Sequence, residues 1–128
     1  MAQHKRYTSN KIINWLAHRP CGRVGRLNNI MEKFKDLISS EKPVLVDFFA
    51  TWCGPCQMMH PVLEEVAKNI GDKARVVKID IDKNRELSSV YNVRSVPTLM
   101  IFQNGELKWR VSGVQSAKVL EDELHKYC

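Results

Sequence analysis

The stretch that decides the fold is Val44-Leu45-Val46-Asp47-Phe48-Phe49-Ala50-Thr51-Trp52-Cys53-Gly54-Pro55-Cys56. Its first seven residues form a near-continuous apolar run, the signature of a strand covered on both faces. From Met58 to Ile70 the pattern becomes helical, with Met59, Val62, Leu63, Val66 and Ile70 on one side. Two cysteines therefore sit where a buried strand turns into a helix. The first cysteine of such a turn lies at the helix N-terminus, where unpaired N–H groups and the helix dipole stabilise a thiolate. The second lies one turn in, close enough to attack a mixed disulfide and close a ring. Pro55 suits the first helical turn, where a missing N–H costs nothing.

Working outward, Ile30, Met31, Phe34, Leu37 and Ile38 recur at helical spacing. They predict a helix over 29–39, with Asn29 as N-cap and Glu32 in the capping-box position. Downstream, Pro61 is expected to kink the second helix and Gly71 to stop it. Residues 75–80 read as a second buried strand, 84–91 as a short helix and 98–102 as a strand. Asn104-Gly105 is a two-residue hairpin turn. Its partner strand, 107–112, alternates Leu107, Trp109 and Val111 with Lys108, Arg110 and Ser112. Ser116 then caps a last helix to Tyr127, with Val119, Leu120 and Leu124 inward. Strand–helix–strand units imply right-handed parallel crossovers, and the hairpin adds an antiparallel edge. The fold class is α/β, a mixed sheet with helices on both faces.

The chain has 128 residues, enough for one domain with a real core. No apolar run approaches the roughly 18 residues that would span a bilayer. Residues 1–30 hold six Lys or Arg and no acid, whereas residues 31–128 hold fourteen of each sign. The whole net charge of +6 thus lies in the first thirty residues. A nucleic-acid or membrane partner gains no support from the neutral body. Residues 1–26 are read as a basic, poorly ordered extension and 27–128 as the domain. Three readings of the extension stay open: sequence upstream of a start at Met31, an organelle presequence, or a basic arm that meets an acidic partner. A start at Met31 would remove the Asn29 cap, which weighs against it.

A lone Cys-x-x-Cys can be half a zinc site, with His60, Cys21 or Cys128 as further ligands, a structural disulfide, or a redox pair. The strand-to-helix context favours the last. Asp47 is the other anomaly, since a carboxylate inside an apolar strand is costly to bury. Either it points to an exposed strand end, or it is a buried acid of raised pKa that takes a proton from the second thiol.

At Trp52-Cys53-Gly54-Pro55-Cys56 the sequence resembles the thioredoxin family, and the likeness runs over roughly residues 31–128. The resemblance implies a thioredoxin fold with a central mixed sheet of four to five strands. The family's extra N-terminal strand has only Arg23-Val24-Gly25-Arg26 as a candidate, so it is expected to be weak or missing. The resemblance further implies protein-disulfide reductase activity, with Cys53 as nucleophile, Cys56 as resolving thiol and a redox-active Cys53–Cys56 disulfide. It makes Asp47 the proton acceptor, Lys78 its modulator, and Pro97 a cis proline facing the cysteines. Trp52, Gly54, Pro55, Ile81, Val96, Gly113 and Val114 become the substrate-binding surface. Gly54-Pro55 points to the reducing end of the family. The implied partners are a thioredoxin reductase drawing on NADPH and disulfide-containing protein substrates, with no bound cofactor or metal, no membrane and a monomeric, cytoplasmic protein. An organelle matrix is the alternative if the extension is a presequence. The rival function is a redox-gated binding subunit that uses the same surface without turnover. One departure is Phe49, where the family often carries a second Trp. Met58 and Met59 read as packing, and no role is assigned to His60.

Overall fold

A computed structural model describes the backbone of residues 12–14 and 26–128, with side chains from residue 30 onward. The elements are β1 (Ile12–Asn14), α1 (Arg26–Ile38), β2 (Val44–Phe49), α2 (Gly54–Ile70), β3 (Arg75–Asp80), α3 (Arg85–Val90), β4 (Thr98–Gln103), β5 (Glu106–Ser112) and α4 (Ala117–His125). They build one five-stranded mixed sheet in the order β1-β3-β2-β4-β5. The strand β2 is central, parallel to β3 and antiparallel to β4. All six of its residues are buried, as the unbroken apolar run requires.

The fifth strand is a correction to the sequence reading. Arg23-Val24-Gly25-Arg26 was its only candidate, but Arg26 opens α1, and residues 23–25 lie outside the described residues. The strand is instead Ile12–Asn14, pairing in parallel with Val76–Lys78. Three residues are too few to show a period, but a β3 edge lined with unpaired backbone groups accepts any short extended segment.

Alternation along the strands sends side chains to two apolar layers. On one face Leu45, Val76, Leu99 and Ile101 pack against Met59, Leu63 and Val66 of α2 and Leu120 and Leu124 of α4. On the other, Val44, Val46, Phe48, Val77, Ile79, Met100 and Phe102 meet Phe34 and Ile38 of α1 and Leu87 of α3. Phe34 and Phe102 meet edge to face, with centroids 5.6 Å apart, and Tyr91 closes on both. Such pairs add about 0.5–1.5 kcal/mol each beyond the area they bury.

Three local expectations shift. The helix α1 starts at Arg26, so Asn29 lies within it and is not its cap. Propensity for a cap is weak against a helix that can extend upstream. Leu107 does not share the inward face of Trp109 and Val111. The β4–β5 register slips between Ile101 and Phe102, which face Trp109 and Leu107, so Lys108 is an extra residue and Leu107 is left 45% exposed. In α4, Ser116 caps through its hydroxyl, which accepts from the Val119 N–H, and Leu120 and Leu124 are buried; Val119 is exposed. The helix α2 runs unbroken through Pro61 and ends at Gly71, whose φ is 60°. At the hairpin, Asn104 and Gly105 both take positive φ, 53° and 82°, as a tight right-twisted turn demands.

Candidate active site

A third, smaller cluster of Phe49, Ala50, Cys53 and Cys56, flanked by Ile81 and Val96, sits where β2 and β3 end. Open α/β sheets present ligand sites at the C-terminal ends of their parallel strands. Cys53 is the N-cap of α2 in an extended conformation, and Pro55 stands in the first turn. Cys53 and Cys56 form a disulfide across a Cα–Cα distance of 5.3 Å. The backbone N–H of Cys56 points at Cys53 Sγ, 3.1 Å away. An orphan donor of the helix start is therefore aimed at the first sulfur, where it favours negative charge. Cys56 is fully buried and Cys53 is 6% exposed, so of the two cysteines only the first reaches the surface.

Outside Cys53 lies a shallow groove of about 420 Å³. Trp52, Cys53, Gly54, Pro55, Ile81 and Val96, the substrate-surface candidates of the sequence other than Gly113 and Val114 together with the candidate nucleophile, line it. The sequence reading missed Val93, Arg94 and Ser95, which complete the wall. They precede Pro97 in an irregular loop, and no residue period marks a loop as a groove wall. Trp52 is 69% exposed, and its indole N–H donates to Asp82 Oδ2 at 2.8 Å, which fixes the ring beside the sulfur. The Val96–Pro97 peptide bond is cis, Pro97 is buried, and the Val96 carbonyl lies 3.6 Å from Cys53 Sγ. Gly113 and Val114 are not on the groove wall. Gly113, with φ 95°, donates its N–H to the Pro97 carbonyl at 2.8 Å, and Val114 is 43% exposed beside it.

Two residues before Phe49 of this cluster, on the same sheet face, is Asp47. It is fully buried, and neither carboxylate oxygen has a hydrogen-bond partner among the described residues. The reading of Asp47 as an exposed strand end is thereby excluded. Asp47 shares its sheet face with Leu45 and Phe49, the face covered by α2 and the inner cysteine. Burial raises its pKa from 3.8 to about 7, against the opposing pull of the Lys78 ammonium. Lys78 stands directly across the β2–β3 ladder from Asp47, on the same face. Its Nζ is 3.2 Å from His60 Nδ1, and the His60 ring meets Phe49 edge to face at 5.5 Å. Burial, then Lys78, lower the His60 pKa, with Glu64 opposing. The sequence reading gave His60 no role. Its position four residues after Cys56, on the same side of α2, was the available signal.

Among the described residues, no three His, Cys, Asp or Glu side chains gather as a metal site. His60 faces Lys78, Cys128 Sγ lies 3.2 Å from the Leu124 carbonyl at the far end of α4, and Cys21 falls outside the described residues. Among the described residues, no helix is long and apolar enough to cross a membrane.

Comparison with known proteins agrees with this geometry. The thioredoxin family model matches residues 27–126. A thioredoxin of Rickettsia typhi is 45% identical over 102 residues, covering 78% of this chain and 97% of that relative. The chloroplastic thioredoxin Y of Oryza sativa is 45% identical over 103 residues, covering 80% of this chain and 61% of that protein. Among solved structures, a mutant thioredoxin from Halobacterium salinarum superposes with a TM-score of 0.74 at 37% identity, covering 94% of this chain and 93% of that one. A cysteine disulfide at the head of a helix, a buried acid behind it and these likenesses over most of the chain lead to one assignment: the chain belongs to the thioredoxin family of disulfide oxidoreductases.

Proposed function

We propose that the chain works as a general protein-disulfide reductase. The observation that carries this reading is the asymmetry of the pair: Cys53 Sγ opens on the groove at a helix N-terminus, while Cys56 is buried behind it on the side of Asp47. The Cys53 thiolate attacks one sulfur of a substrate disulfide, and the other sulfur leaves as a thiolate that takes up a proton. The mixed disulfide lies along the groove against Trp52, Gly54, Pro55, Ile81 and Val96. There the Val96 carbonyl and the turn at Pro97 present backbone to an extended substrate segment. Asp47, its affinity for a proton modulated by Lys78, takes the proton of Cys56. The Cys56 thiolate attacks Cys53 Sγ, the second substrate thiolate leaves, and the Cys53–Cys56 disulfide remains. Gly113 and Val114 extend the apolar rim.

The oxidised pair then needs two electrons. A thioredoxin reductase drawing on NADPH supplies them, and no cofactor or metal binds the chain itself. This makes the protein an electron carrier in cell redox homeostasis. It works as a monomer in the cytoplasm, or in an organelle matrix if the basic extension is a presequence. Residues 27–128 form the redox domain, and residues 1–26 are an extension that adds β1 to its sheet.

The test is insulin reduction coupled to NADPH and a thioredoxin reductase. Wild type turns over, and Cys53→Ser abolishes turnover. A wild-type chain that reduces nothing refutes the reading. The second reading, a redox-gated binding subunit, rests on the exposed apolar side chains of Trp52 and Val114. It requires the double Cys53→Ser/Cys56→Ser variant to keep its biological role.

A further inference from the structure

The buried acid invites a cation, and the cation opposite it is held elsewhere. Asp47 and Lys78 are register partners in adjacent strands and point to the same face. An ion pair between them would be the ordinary outcome, because an unpaired buried carboxylate is expensive. Yet both Asp47 oxygens are without a hydrogen-bond partner among the described residues, and the Lys78 ammonium lies 3.2 Å from His60 Nδ1. An ammonium has three donors and no acceptor, so Nδ1 must be the accepting nitrogen and the imidazole proton must be on Nε2. The ring is neutral in this arrangement. Phe49, packed edge to face against it, holds its plane.

We infer that His60 is a positioning residue: its imidazole takes the hydrogen bond of Lys78, holds that cation off the Asp47 carboxyl, and so keeps Asp47 basic enough to accept the Cys56 proton. The inference rests on the reductase mechanism proposed above and adds to it a group that touches neither substrate nor reacting sulfur. Among the described residues, the register partners of Asp47 are Lys78 on β3 and the uncharged Leu99 on β4; Lys78 in turn meets His60 of α2, on whose ring Glu64, one turn beyond, also acts. If His60 is removed, the Lys78 ammonium loses that acceptor, and the Asp47 carboxylate, its register partner on the same face with no hydrogen-bond partner among the described residues, is open to it. The resulting ion pair would favour the ionised acid. The lowered His60 pKa is consistent with a ring that stays neutral near pH 7. Protonating it removes the acceptor and sets two cations side by side, so the arrangement operates only above the histidine titration.

The experiment reads Asp47 directly, by carbon NMR of its carboxyl through a pH titration of the oxidised protein. Wild type, His60→Ala, His60→Gln, Lys78→Gln and the His60→Ala/Lys78→Gln double variant are compared. His60→Ala should lower the Asp47 midpoint by about one pH unit, the low end of what a nearby opposite charge does. His60→Gln, whose amide oxygen can still accept, should recover at least half of that shift. In the Lys78→Gln background, His60→Ala should leave the midpoint unmoved. An unchanged or raised midpoint in His60→Ala overturns the inference, as does an equal shift with and without Lys78. The pH profile for release of a thionitrobenzoate mixed disulfide should move in parallel with the midpoint. Insulin turnover is measured beside it. Absent turnover with the titration behaving as stated sinks the reductase reading alone, while normal turnover with an immobile Asp47 midpoint sinks the role of His60 alone.

Discussion

Replacing Asp47 by Asn should stabilise the protein at alkaline pH and leave it unchanged in acid. Burial raises the folded-state pKa above the ordinary carboxyl value, so the fold disfavours the charged form. Below the ordinary value of 3.8 both folded and unfolded chains carry the proton, and there is no penalty. As pH rises from there to about 7 the unfolded chain loses the proton while the folded chain keeps it. Stability then falls by about 1.4 kcal/mol per pH unit. Above the folded-state midpoint the loss is complete. The interval from 3.8 to about 7 makes it roughly 4 kcal/mol. Asn is neutral throughout and nearly isosteric, so it escapes this loss. Urea denaturation of the oxidised wild type and Asp47→Asn should give nearly equal stabilities near about pH 3, and a gap approaching roughly 4 kcal/mol near about pH 8. Because the gap is a difference between two chains, other titrating groups cancel from it. A gap of the same size at both pH values would refute the reasoning, since it would mean that Asp47 ionises with its ordinary pKa.

The same Asp47→Asn variant should release a mixed disulfide more slowly than wild type near neutral pH, read by stopped flow. Equal rates across about pH 6 to 9 would remove Asp47 from the proton path. Gly105→Ala puts a Cβ on a residue held at φ 82°, and denaturation should show a loss of about 1–2 kcal/mol although the site has space. Ser116→Ala removes the hydroxyl that accepts from the Val119 N–H and should lower stability by about 1 kcal/mol, with redox turnover unaffected.

The stabilising effect expected of Asp47→Asn shows what kind of group the acid is. Two oxygens with no hydrogen-bond partner among the described residues weaken the fold, and the proton transfer proposed above gives a carboxylate there a use that packing does not.

Much of this was legible in the chain itself. The apolar run ending at Ala50, the helical period from Met58, and two cysteines at their junction are local facts, and β2, α2 and the Cys53 cap follow from them. Asn104-Gly105 fixed the hairpin because few residues tolerate two positive φ values in succession. Residue period and turn chemistry act over a few neighbours, so sequence carries them. Sequence left open what depends on neighbours far along the chain. The edge strand Ile12–Asn14 has no period of its own and is defined only by the β3 backbone that receives it. The Lys108 bulge that turns Leu107 outward is a property of two strands in register, not of one. Val93, Arg94 and Ser95 reach the groove because the chain before Pro97 passes the head of α2. His60 showed no partner in the sequence, since Lys78 lies eighteen residues away on another element. Period and turn chemistry thus placed the sulfurs at a helix head; only the packing of β2, β3 and α2 decided which of Asp47 and His60 holds the ammonium, because that choice is made by distance in space.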